Sequence, residues 1–170
     1  IETSRLAVQT RRIGHLDEIM SLMAESDAHF RYSVAWIDLL ARGRNLGRGV
    51  LTNGEHARAD ELDARAGAAP LAFGGKQLVD LPPLVPAPGV INRLSVAAFN
   101  ELWYRKAPVR RDGEIQSVAA YFHPLDLVGD WNPVYGRHGF LQYQFVGPFC
   151  AEDSLRTLID PDLAADVTMT

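Results

Sequence analysis

The residues best suited to chemistry lie between Tyr121 and Phe145, in YFHPLDLVGDWNPVYGRHGFLQYQF. The end of this stretch alternates. Leu141, Tyr143 and Phe145 fall on one face of an extended chain, and Phe140, Gln142 and Gln144 fall on the other. Each glutamine amide both donates and accepts, so two on one face can grip a hydroxylated ligand. The loop before them carries Trp131, Asn132, Tyr135, Arg137 and His138 among glycines and a proline. Aromatic surfaces beside amides suit sugar-like or amphipathic molecules. The same pattern equally describes a half-solvated sheet whose polar face carries glutamine without a ligand.

Other constellations are thinner. His123, Asp126 and Asp130 are close in sequence, but Pro124 stiffens their spacing and no second histidine stands at ligand distance, so no metal is expected there. His15, His29, His56 and His138 are scattered, and no G-x-S-x-G elbow is present. Cys150, the single cysteine, excludes an intrachain disulfide framework and a multi-cysteine zinc site. It sits beside a helix start, where a thiol pKa can fall, yet a lone cysteine usually packs. The basic stretch 41–49 (ARGRNLGRG) fits neither the dinucleotide fingerprint nor a Walker A loop. It reads as a mobile, solvated turn before it reads as an anion cradle.

The elements that must position these residues follow from periodicity. A strand is expected over Ser4 to Ile13, with Leu6 and Val8 on one face. Leu16, Ile19, Met20 and Met23 recur at helical spacing and predict an amphipathic helix to about Ser26. Arg31 to Leu39 is strand-like, with Tyr32, Val34 and Trp36 on one face. Val50 to Thr52 predicts a short strand, ended by the turn pair Asn53-Gly54. An Ala-rich helix is expected over Asp60 to Ala69, and the proline-rich 80–89 as an extended connection. Asn92 is placed to cap a helix running to Lys106, with Val96, Phe99 and Trp103 on one side and Leu102 adding width. Strands are expected over Glu114 to Phe122 and Gly139 to Val146, then a helix over Glu152 to Ile159. Steps between the early strands are too short for helical crossovers. The fold class is therefore α+β, one mostly antiparallel sheet with helices packed on it.

Composition bounds the function. The 170 residues and 18.8 kDa suffice for one core, and a net charge of -4 argues against a nucleic-acid surface. No apolar run is long enough to span a membrane, and no signal peptide is visible. The chain starts at Ile1 within what reads as a strand, which suggests a piece of a longer protein.

Four blocks together carry a resemblance: YSVAWIDLLARG with LGRGVL (32–51), FNELWYRKAP (99–108), YFHPLD (121–126) and WNPVYGRHGFLQYQF (131–145). They resemble the substrate-binding domain of decaprenylphosphoryl-β-D-ribose 2'-oxidase and related FAD-linked oxidases of the vanillyl-alcohol oxidase class. The resemblance implies a partial substrate (cap) domain over 1–159, with 160–170 an unassigned tail. It implies that the longer parent oxidises a sugar 2'-hydroxyl by hydride transfer to FAD, in cell wall biosynthesis, on a lipid-linked sugar and with a reductase partner. It places Trp36, Phe122, Leu125, Trp131, Gln142 and Gln144 at the substrate pocket. Phe122 stands where the family commonly has Tyr, so one hydroxyl contact is missing. The family's reactive cysteine and lysine lie beyond this chain, and Cys150 does not match that cysteine. No FAD is expected to bind this piece alone, which is expected to be inactive. A bare sheet edge is expected to recruit a second copy. The location implied is cytoplasmic or peripheral to a membrane. The alternative is a stand-alone, non-catalytic binding or interaction domain derived from that family.

Overall fold

The computed structural model describes residues 1–73, 79–80, 92–123, 128–129, 144, 146–148 and 152–160. Along the chain run β1 (Arg5–Ile13), α1 (Leu16–Ser26), β2 (Tyr32–Ile37), β3 (Gly49–His56), α2 (Ala64–Gly67), β4 (Val79–Asp80) and α3 (Arg93–Lys106). They are followed by β5 (Arg110–Ser117), α4 (Val118–Phe122), β6 (Val128–Gly129) and α5 (Glu152–Ile159). Strands β2-β3-β1-β5 form one antiparallel sheet, and β4 and β6 form a short parallel pair. The class is α+β, as the short connections predict.

The period-two pattern of β1 divides the core. Leu6 and Val8 pack with Tyr121 on one face of the sheet, supported by Tyr32 and Val118. Ile13 packs on the other face with Leu51 and with Ile19 of α1, joined by Ala35 and Ile37 of β2. Helix α1 starts at His15, whose Nδ1 accepts from the Glu18 N–H at 3.3 Å. Helix α3 starts where Asn92 accepts from the Leu94 and Ser95 N–H groups, as its sequence predicts.

Three expectations are corrected. Strand β3 does not turn at Asn53-Gly54 but runs on to His56. Asn53 is buried and accepts from the Ser33 hydroxyl at 2.9 Å, while a Cβ at Gly54 would meet the Tyr121 ring at 3.2 Å. The glycine there serves close packing rather than a bend. The strand expected over Glu114 to Phe122 is β5 shifted earlier. It ends at Ser117, whose hydroxyl accepts from the Ala120 N–H and starts α4. The Ala-rich 60–69 stretch splits into a 3-10 turn, Ala59–Glu61, and the single turn α2, capped by Asp63.

The basic glycine loop is a packed connection rather than a loose turn. Leu46 C=O accepts from the Leu16 N–H at 2.9 Å. Gly47 has φ +66, and a Cβ there would lie 2.6 Å from that of Leu16. The proline-rich 81–89, Leu125, Trp131, Gln142, Cys150 and the tail from 161 lie outside the described residues. Of the strand expected over 139–146, only Gln144 and Val146 are described; both are exposed and outside any strand.

Candidate functional site

The sheet face opposite α1 carries a cleft of about 690 Å³. Strand register builds its floor: Thr10 of β1 pairs with Thr52 of β3, which pairs with Val34 of β2, and one step along Val50 pairs with Trp36. Strand β5 adds Glu114 and Gln116, which lie opposite Val8 and Leu6. The C-terminal turn of α3 closes one side with Trp103 and Lys106, and α4 closes another with Ala120 and Tyr121.

Two tryptophans therefore face a patch of hydroxyls and an amide. Thr10, Thr52 and Gln116 side chains make no hydrogen bond among the described residues, so their capacity is directed at the cleft. Glu114 is tied to Arg111 at 3.2 Å. Tyr121 is spent on structure: its buried hydroxyl lies 2.7 Å from Thr52 C=O and 3.2 Å from Tyr32 C=O, and can donate to either. Burial pushes its pKa up to about 12, so it stays a neutral donor. The cleft is equipped to bind and orient a hydroxylated molecule against aromatic walls.

The α3 wall is held by a polar latch. Asp38, 2% exposed, accepts from Arg48 Nη2 at 2.9 Å, Arg48 Nε at 3.1 Å, Asn100 Nδ2 at 2.7 Å and the Leu40 N–H at 3.0 Å. Burial pushes its carboxyl pKa up, but the bonds from Arg48 and Asn100, with the Leu40 N–H, outweigh that and hold it below the usual range. Arg48 also reaches Glu101 at 2.6 Å and lies 4.6 Å over the Tyr104 ring. Its charge is thus committed. Gly47 of the same loop is packed on Leu16 of α1.

Of the residues singled out from sequence, Trp36 lines the cleft. Phe122 stands just outside it on α4, edge-on to Tyr32 at 5.1 Å and to Tyr121 at 4.8 Å. Gln144 is exposed, and Leu125, Trp131 and Gln142 are outside the described residues. Sequence reasoning missed Thr10, Thr52, Gln116 and Trp103. The only signal for the first two is their even spacing from Leu6 and Val50, and nothing local reveals that the strands bearing them are neighbours. No group of three or more His, Cys, Asp or Glu able to hold a metal occurs among the described residues.

No family model matches the chain. It is 38% identical over 147 residues, 86% of its length, to decaprenylphosphoryl-beta-D-ribose oxidase of Mycolicibacterium smegmatis, of which it covers 32%. It is 31% identical over 169 residues, 94% of its length, to an uncharacterized protein in the mprA 5' region of Streptomyces coelicolor, of which it covers 44%. The chain thus spans about a third of one relative and less than half of the other. The likeness read from the four blocks extends across most of the chain.

Proposed function

We propose that this chain is the substrate-covering part of a flavin-linked oxidase that acts on the 2'-hydroxyl of a lipid-linked sugar of the decaprenylphosphoryl-ribose kind. The observation that carries this is the cleft, where Trp36 and Trp103 flank Thr10, Thr52 and Gln116, in a chain similar to an oxidase with that substrate in its name. The aromatic walls take the apolar faces of the sugar and its lipid, and the hydroxyls and amide fix its rotation. FAD, held by the rest of the longer protein, supplies the hydride acceptor when bound. By the resemblance, Gln142 and Gln144 would add to the polar set and Leu125 and Trp131 to the apolar wall, with Phe122 at its edge. A separate reductase would take up the keto product.

The test is made in the full-length protein that carries this chain. Replacing Thr52 by Val and Gln142 and Gln144 by Leu, one at a time, each leaves a substrate hydroxyl without its partner. Each loss costs about 1–3 kcal/mol of transition-state stabilisation, or roughly ten- to a hundredfold in kcat/KM. Bound flavin, read by its absorbance, and the melting temperature stay near the parent's. A collapse of melting temperature with unchanged activity per folded molecule assigns these residues to the fold and overturns the reading.

A further inference from the structure

The end of the cleft where α3 meets β5 carries more positive charge than its neighbours answer. Lys106 of α3 and Arg111 of β5 both line it, against one carboxylate, Glu114. Arg111 meets that carboxylate at 3.2 Å. Lys106 forms no ion pair among the described residues. A basic residue in the last turn of a helix ordinarily answers the carbonyls there. Here that task falls to Arg12 of β1, whose Nη1 donates to Arg105 C=O at 3.2 Å. The Arg12 guanidinium also lies 5.4 Å over the Tyr104 ring, and it meets no carboxylate among the described residues. The neighbouring charges cancel: Arg48 and Arg105 face Asp38 and Glu101, and Arg110 faces Asp112. What remains is Arg12, Lys106 and Arg111 against Glu114, in a chain of net charge -4.

This surplus stands beside hydroxyls. Arg111 is the cross-strand partner of Thr10, and Thr10 is the partner of Thr52, so the three form one row across the sheet. Neighbouring strands lie about 4.8 Å apart, which is the scale separating a phosphate from the hydroxyls of the sugar ring it substitutes. Trp36 and Trp103 wall the same cleft, and cations between apolar walls attract an anion more strongly than cations on open surface.

We propose that Lys106 and Arg111 hold the phosphate of the ligand, while its sugar lies across Thr10 and Thr52. This fixes which way round the ligand enters, with its charged end at the corner of α3 and β5. The proposal rests on the reading above for the sugar; the cation pair itself requires only a phosphate-bearing ligand.

The test is calorimetric titration of the full-length protein with farnesylphosphoryl ribose, with farnesyl phosphate, and with farnesyl riboside, which lacks the phosphate. Lys106→Gln is expected to weaken both phosphate-bearing probes roughly tenfold, with the effect confined to them and the melting temperature kept. Lys106→Arg is expected to restore most of the affinity. Arg111→Gln weakens the same probes further, because Glu114 is left unanswered beside the phosphate. Glu114→Gln is expected to tighten them severalfold, a gain that a residue serving only the fold does not give. The proposal is overturned if neither phosphate-bearing probe binds, or if Lys106→Gln and Glu114→Gln alter all three probes alike or none. Loss of flavin absorbance in Lys106→Gln with probe binding kept would assign the cations to the cofactor's pyrophosphate and overturn it as well. Flavin reduction by farnesylphosphoryl ribose judges the oxidase reading separately. Lys106-dependent binding of farnesyl phosphate without that reduction would remove the oxidase reading and leave the phosphate site standing.

Discussion

A carboxylate with almost no exposure is costly unless its lone pairs are filled, and Asp38 meets that condition with four hydrogen bonds and the Arg48 charge. Removing it leaves Arg48 and Asn100 facing an empty, shielded position. Asp38→Ala is therefore expected to cost about 3–5 kcal/mol, read by denaturant unfolding. The sign with pH follows from its depressed folded pKa. The stabilisation is complete above the unfolded carboxyl's pKa of about 3.9 and is lost as pH falls below it through the folded value. A melting curve taken against pH should drop steeply in that acid window for the parent and less steeply for Asp38→Ala. Equal slopes would show that the latch does not govern acid stability. None of this was legible in the sequence, where Asp38 reads as the polar end of a strand and its partner Asn100 as one polar residue on a helix 62 positions away.

At the scale of elements, those with a strong period and a capping residue were legible, and those shaped by a neighbour were not. Strand β1, helix α1 and the Asn92-capped α3 follow their own local pattern. Strand β3 does not, because the turn chemistry of Asn53-Gly54 is overridden by a bond to Ser33 and by the Tyr121 ring. Strand β5 begins in Arg110, Arg111 and Asp112, with Gly113 at φ +74, so it lacks the apolar alternation that marks a strand. The family resemblance singles out Trp36, which lines the cleft, but not Trp103, whose place there depends on where α3 lands. The tightest spot in the sheet is Gly49, where a Cβ would lie 2.1 Å from Trp36 C=O and 2.8 Å from Ile19 Cδ1. Gly49→Ala must spread β2 from β3, and overpacking of this kind costs about 1–3 kcal/mol or more. Melting temperature and tryptophan fluorescence should change together, because the displaced backbone is that of Trp36. A variant as stable as the parent, with its emission unmoved, would contradict this packing.

For the whole molecule, the sheet order β2-β3-β1-β5 puts the two best-buried strands in the middle. Amides of β1 and β3 are expected to exchange with solvent only when the entire domain opens, and those of the polar edge at Arg110 to Asp112 much sooner. Hydrogen exchange followed by mass spectrometry checks it. Equal protection of Arg110–Asp112 and β1 would mean that the sheet does not open from this side. The order was beyond the sequence, because period-two patterns give faces but not partners. It also carries a consequence for how the chain is made. Of the strands in this sheet β1 is made first, yet it lies between β3 and β5, and Arg5 finds its β5 partner only at Ser117. During translation β3 can pair with one edge of β1 early, but its other edge, and the Tyr121 cover of Leu6 and Val8, must wait until more than a hundred further residues have emerged. Distant pairings of this kind slow folding and leave apolar surface open to other nascent chains. The first strand of this sheet thus keeps one edge open across the whole span from β3 to β5.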